Sequence, residues 1–252
     1  MNEIHFFYIG ALLILTFTLF LIIFIRFLIV SGVYHYTFFI LFRKKFDKRI
    51  IDHTPLKKKQ LVKELYWSAI SGLIFAFFAI SIYLLWSMGF TAIYMDINAY
   101  PLWYLPVGVF ITLFIQDTYY YWIHRWMHKP SVYRYIHKIH HKSVHTSVFT
   151  AFSFHPFETV LQAIILPLIV LFIPLHFYAF LFTLVIMTIS ATINHAGVEI
   201  YPSGKYGKWF GKWVIGASHH DKHHRKFNYN FGLYFTFWDR WMGTESPERI
   251  MK

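Results

Sequence analysis

LWYLPVGVFITLFIQDTYYYWIHRWMH, residues 102–128, joins a membrane segment to a pair of histidines. Residues 102–121 form an apolar run long enough to cross a hydrocarbon core of about 30 Å, because a helix rises about 1.5 Å per residue. The run leads straight into His124 and His128. On a helix, positions i and i+4 share a face, so this HxxxH pair presents two imidazoles together. The chain is therefore read as membrane helices that deliver histidines to a membrane surface.

The flanking sequence extends that reading. Of 252 residues, 57% are hydrophobic and 22% aromatic, against roughly 45–50% apolar in ordinary soluble domains. Residues 6–30 and 67–90 are long apolar runs containing one basic residue, Arg26. A fourth run, 159–192, is too long for one simple span and is interrupted by Pro167 and Pro174. It predicts a helical hairpin that bends near 174–176. The expected fold is all-α: an integral membrane helical bundle of about four membrane-embedded segments with a cytoplasmic histidine-rich helical cap. Residues 31–66 read as a basic connector containing Pro55 and an amphipathic interfacial helix around 56–66. The first span lacks a basic leading region and exceeds the length of a signal-peptide core, so it is expected to stay in the mature protein.

Charge sets the orientation. The net charge is +12, and Lys and Arg cluster at 43–63, 125–142 and 205–252, whereas the turn 91–104 carries Asp96 and no basic residue. The expected spans put all three clusters on one side, which the positive-inside rule makes cytoplasmic. Topology accounts for every basic block, so no nucleic-acid partner is expected; anionic headgroups and an acidic partner are. The sequence ends in residues 249–252 without a retrieval signal, leaving a bacterial inner membrane or an endoplasmic reticulum membrane open. There is no cysteine, which excludes disulfides, thiolate metal sites and a built-in iron–sulfur cluster.

Two further boxes follow the first: HKIHH at 137–141 and HDKHH at 220–224. Isolated histidines such as His5, His35, His53 and His176 read as packed or interfacial residues. The boxes differ by repetition: His124, His128, His137, His140, His141, His220, His223 and His224 exceed what one four-coordinate zinc takes up, which points to two metal ions in one nest. No HExxH or ExxH occurs, so neither a zinc-protease site nor a carboxylate di-iron bundle is indicated. Imidazole suits iron as well as zinc. A many-ligand site facing lipid, without a hydrolytic base, suits oxygen chemistry on an apolar C–H bond.

The three boxes resemble those of the fatty acid hydroxylase and sterol desaturase superfamily, over roughly 103–245. FHPFETVLQ at 154–162 and ASHHDKHHRKFNYNFGLYFTFWDRWMGT at 217–244 are similar to the sterol C5-desaturase (lathosterol oxidase) branch in particular. The resemblance implies that the eight box histidines bind two irons, which activate O2 at the cytoplasmic face to hydroxylate or desaturate a lipid. The substrate implied is sterol-like, with fatty acyl and carotenoid hydroxylases as alternatives. Residues 67–252 would form this oxygenase domain, preceded by residues 1–66 as an anchoring helix and connector. Family members commonly add ligands between the second and third boxes, and His195 in INHAG is the candidate.

Several neighbours invite roles around the metals. Glu199, four residues after His195, is read as a ligand, an orienting group or a structural cap. His219 is read as a ligand or an outer partner, because it points about 100° away from His220 on a helix. Asp117 lies on the face of the first box and is expected to accept a hydrogen bond from a ligating imidazole. Asp221 invites the same reading, while Asp239 is expected to pair with Arg240 or a helix end. His155 and Glu158 read either as a helix start or as catalytic groups. His145 lies one turn beyond His141. Asn228 and Asn230 flank Tyr229 in a loop that is expected to organise the last box. A substrate cleft is expected between residues 119–126 and the 159–194 hairpin. The chain carries no flavin, nicotinamide or haem fingerprint, so electrons must come from a separate donor, by resemblance a cytochrome b5 or ferredoxin. The readings from other classes are a metal transporter and a non-catalytic or hydrolytic metal-binding membrane protein; gathering of the boxes on one face argues against a conduction path.

Overall fold

A computed structural model describes residues 3–247, with side chains from Tyr8 onward. The side chain of His5 and the C-terminal residues 249–252 lie outside that description. Six helices make the bundle: α1 (Glu3–His35), α2 (Lys58–Ser87), α3 (Tyr104–Met127), α4 (Pro156–Ala163), α5 (Ile165–Phe172) and α6 (Phe177–His195). Three smaller ones follow: α7 (Gly204–Phe210), α8 (Ala217–Lys226) and α9 (Phe237–Trp241). Among the described residues three helical stretches are long and apolar enough to cross a membrane: Tyr8–Leu41, Lys58–Ser87 and Phe177–His195. The first runs through α1 into a π-helical turn, Tyr36–Leu41. α3 has 24 residues, but Gln116, Asp117 and Thr118 dilute its second half.

The hairpin forms as its prolines dictate. Pro167 has no N–H and its ring crowds the carbonyl four residues back, and the helix breaks at Ile164, between α4 and α5. The chain then reverses after Phe172 and returns as α6. At the reversal, β2 (Leu175–His176) pairs in parallel with β1 (Ile93–Tyr94), tying the hairpin tip to the 91–104 turn. His176 packs there as the isolated-histidine reading expects: Nδ1 accepts from Tyr178 N at 3.3 Å and Nε2 donates to Met95 O at 3.1 Å. Gly108 permits the contact with α3, since a Cβ there would lie 3.0 Å from Leu175. The connector differs from expectation. In place of a separate interfacial helix around 56–66, α2 starts at Lys58 and runs unbroken to Ser87, because no Gly or Pro interrupts it after Pro55 until Gly72.

α1 packs along α2, and both hold the segment that follows the second box. Phe27 is fully buried and stacks on Phe152 at 4.7 Å; burial of such a ring stabilises by roughly 1.5–3 kcal/mol. Ala151, Phe75 and Leu65 complete this cluster. Another joins Tyr34 and Ile50 to Val148, Ala196 and Val198. The first 66 residues thus buttress the histidine-bearing segments.

Candidate metal centre

Each box sits on a different kind of element. His124 lies in the last turn of α3 and His128 is its C-cap residue. The residues of HKIHH lie in consecutive turns that close as a 3₁₀ helix, His140–Lys142. HDKHH lies on α8. His195 is the last residue of α6. Nine ring nitrogens from these elements converge in two groups: His124, His128, His137, His141 and His223 in one, and His140, His195, His220 and His224 in the other. Within each group the nitrogens lie within 4.8 Å of one another, close enough to hold a metal ion. The second and third boxes each divide between the groups. On α8, His220 and His224 share a face, and His223 is turned about 100° from His224 toward the other group.

The orientation of the rings carries chemical information. Nδ1–H donates outward from His124 to Phe231 O (2.8 Å), from His223 to Tyr229 O (2.7 Å), from His195 to Ala191 O (2.8 Å) and from His140 to Ser153 O (3.3 Å). His137 Nδ1 donates to Glu158 Oε1 at 2.8 Å. The inner nitrogens then meet: Nε2 to Nε2 is 3.2 Å for His140 and His195, 2.9 Å for His195 and His220, 3.0 Å for His124 and His137, and 3.1 Å for His141 and His223. A neutral imidazole whose Nδ1 carries the proton has only a lone pair at Nε2. Where both Nδ1 atoms bond carbonyl oxygens, as in His140 and His195, two lone pairs face each other, an arrangement that a cation between them relieves. Nitrogens bound at right angles about 2.1 Å from an ion would lie about 3.0 Å apart. The donor set fits metals.

Burial keeps these rings neutral. His137, His140, His141, His220 and His224 are held well below the ordinary imidazole range, first by desolvation and then by neighbouring histidines. Desolvation lowers His223 to about 4, partly offset by its bond to Tyr229. Aromatic rings close the nest: Phe231 lies 5.2 Å from His128, Phe227 4.8 Å from His141 and Phe154 4.9 Å from His140. Phe227 ends α8 at φ 63°, a costly conformation for a bulky residue that turns the chain over the nest.

The carboxylates divide sharply. Glu158, in the first turn of α4, is buried and touches His137. Asp117 does not meet an imidazole. Its Oδ1 instead accepts the backbone N–H groups of Leu233, Tyr234 and Phe235 at 3.0, 2.6 and 3.2 Å, pinning the chain beyond the third box to α3. Asp221 turns to Arg225 at 2.8 Å, an i,i+4 pair on the outer face of α8. Asp239 accepts from Phe231 N and Gly232 N, while Arg240 pairs with Glu245; desolvation pushes Asp239 up to about 6. Glu199 is a cap: Oε2 accepts Ser218 N at 3.0 Å in the first turn of α8, and Oε1 accepts Tyr201 N. Gly216 leaves room for it, since a Cβ there would lie 3.0 Å from Glu199 Oε2 and 2.7 Å from the Tyr201 ring.

The remaining histidines lie apart from both groups. His219 is buried on the far side of α8, 3.9 Å from Asp239 Oδ2, with desolvation lowering it to about 3. Its offset along the helix takes it out of the nest. His155 caps α4 by accepting Phe157 N, and His145 pairs with Asp52, which also binds Arg225 at 3.1 Å. Asn230, at φ 62°, donates to His219 O and accepts Ser246 N, and the same loop offers Tyr229 O to His223 Nδ1.

Sequence reasoning passed over Glu64. This buried carboxylate of α2 accepts from Gln60, Ser143, Ser147 and Thr150 at 2.6–2.9 Å, clamping the chain after the second box. The available signal was a lone acid at the head of an apolar run, which is costly unless paired. The expected cleft also differs. An apolar cavity of about 380 Å³ lies between the starts of α3 and α6, bordered by Leu105, Val109 and Phe182, at the end away from the nest. Beside the nest the tyrosines pack closely: Tyr119 donates to Leu161 O and Tyr121 stacks on Trp238 at 5.8 Å.

An apolar helical bundle whose segments end in two converging sets of imidazoles defines a membrane protein with a polyhistidine centre. The family model for fatty acid hydroxylases matches residues 109–244, and the chain belongs to that family. Human lathosterol oxidase is 29% identical over 201 residues, covering 77% of this chain and 64% of that protein. The Delta(7)-sterol 5(6)-desaturase of Candida albicans is 33% identical over 204 residues, covering 77% of this chain and 49% of its own. That of Saccharomyces cerevisiae is 30% identical, covering 79% and 53%. The chain is thus similar to the sterol desaturase branch and spans less than two thirds of these relatives. No solved structure matches it.

Proposed function

We propose that this chain is a membrane oxidoreductase in which two irons, held by the nine converging histidines, use O2 to desaturate or hydroxylate a sterol-like lipid. The observation that carries the reading is the facing of Nε2 atoms at 3.2 Å in His140 and His195 and at 3.0 Å in His124 and His137, while the Nδ1 atoms of all four are bonded outward. His124, His128, His137, His141 and His223 would hold one ion, and His140, His195, His220 and His224 the other. When bound, the irons with O2 supply the oxidising power to remove hydrogen from an unactivated carbon. The protein's own part is orientation and exclusion. Backbone carbonyls fix the tautomers of His124, His140, His195 and His223, and Glu158 that of His137, and Phe154, Phe227 and Phe231 keep water from the nest. Electrons come from a separate donor of cytochrome b5 or ferredoxin type at the basic, cytoplasmic face.

The similarity to sterol desaturases supports a sterol-like substrate, and the similarity of family supports hydroxylation as the second outcome. The test is elemental analysis of the purified protein, followed by mass spectrometry of total lipids from hosts carrying the unmutated chain or His140→Ala. The expected result is about two irons per chain and a lipid that loses two hydrogens, or gains one oxygen, only with the unmutated chain. A single tightly held zinc with no oxidised lipid would overturn the reading.

A further inference from the structure

We propose that a lysine-walled cavity at the polar end of α2 binds the phosphate headgroup of an anionic membrane phospholipid. The recess is half open to the surface and holds about 230 Å³, lined by Lys57, Lys59, Lys63 and Lys142 with Trp67 and Ile139 as apolar surfaces. Among the described residues, none of these four ammonium groups has a carboxylate partner. Glu64 also borders the space, but Gln60, Ser143, Ser147 and Thr150 already donate to its two oxygens. Four like charges around one recess repel one another, and a bound phosphate removes that cost. α2 adds to the field: its N-cap, Lys57, offers no side-chain cap and its first turn has no acid, so the positive end of the helix dipole is uncompensated.

The surroundings favour a lipid over a soluble anion or a protein. α2 is long and apolar enough to cross a membrane, and the lysines stand at its first turns. Val62, Tyr66, Leu73 and Phe77 are exposed on α2 and fall within about 60° of one another around the helix. This apolar stripe begins beside Lys59 and Lys63 and runs toward the hydrocarbon. Acyl chains can follow it while the phosphate sits among the lysines, with Trp67 and Tyr66 at the interfacial level that such rings favour. Ile139, Lys142 and Ser143 come from the second-box segment, so a bound headgroup would brace the chain on both sides of His140 and His141.

The full chain, in nanodiscs of dioleoylphosphatidylglycerol and dioleoylphosphatidylcholine, can be released and weighed by native mass spectrometry. This readout is independent of any oxidation. One phosphatidylglycerol should be retained per chain. Lys59→Gln, Lys63→Gln and Lys142→Gln together should lower retention at least about tenfold, and the corresponding Arg triple should restore it. Removing equal charge elsewhere, by Lys205→Gln, Lys208→Gln and Lys212→Gln, should leave retention unchanged. Equal loss in both glutamine triples, or none in the cavity triple, overturns the proposal. So does displacement of the lipid by millimolar inorganic phosphate, which would assign the cavity to a soluble anion. Unchanged lipid retention with lost reduction by cytochrome b5 would assign it to an acidic protein and equally overturn it.

Discussion

A neutral imidazole donates from one nitrogen and binds through the other, so the group that takes its proton decides which nitrogen is free. For His137 that group is Glu158 Oε1 at 2.8 Å, and Glu158 Oε2 is buried without a partner. The carboxylate therefore costs desolvation while raising the basicity of the ring. Glu158→Gln should separate these effects: iron affinity falls about 10–100-fold, while the melting temperature of the metal-free protein does not fall. Elemental analysis after graded chelation, beside thermal unfolding of the metal-free form, measures both; unchanged iron retention would refute the orienting role. At this scale the histidines that converge were legible, because the boxes stand out by repetition at short spacing, whereas their division between two groups was not. The carboxylates were less so. Asp117 bonds to a backbone 116 residues away, and Glu199 caps a helix 19 residues ahead. Neither partner leaves a trace in local periodicity.

The elements that carry the boxes fix how imidazoles are shared between the two groups. α8 was readable as a helix, and its 100° step explains the division of His220 and His224 from His223. The second box was not, because no apolar period surrounds HKIHH; Ser143, Ser147 and Thr150 instead bind Glu64 of α2 and set its turns. This packing has a thermodynamic consequence. In the unfolded chain the α8 histidines titrate near 6.5, whereas in the fold desolvation keeps His220 and His224 well below that value and lowers His223 to about 4. Between about 6.5 and 4 the unfolded chain binds protons that the folded chain does not, so stability falls as pH drops through this window. Thermal unfolding of the metal-free protein should show a lower midpoint at pH near 5 than at pH near 7.5. A midpoint that is flat or rises on acidification would contradict neutral, buried imidazoles.

For the whole molecule, the structure supplies a depth marker that hydropathy lacks. α6 has 19 residues, or about 28 Å of rise, close to a hydrocarbon core of about 30 Å. It begins at the β1–β2 pairing and ends at His195 in the nest. The hairpin tip and the 91–104 turn therefore mark one pole and the histidines the other. The three lysine- and arginine-rich blocks belong with the histidines, and the turn with Asp96 has no basic residue, so we propose from the positive-inside rule that the nest lies on the cytoplasmic side. Because the chain has no cysteine, single substitutions report side without background. Asn98→Cys, in the exposed turn, should react with a membrane-impermeant maleimide added to intact cells or sealed right-side-out vesicles. Lys208→Cys, on exposed α7, should react only when vesicles are inverted or opened. The reverse pattern would put the histidines on the non-cytoplasmic face and break the link between the basic surface and a cytoplasmic electron donor. Labelling of both positions from one side would mean that α6 does not traverse the bilayer, leaving the β1–β2 pole at the same surface as the nest.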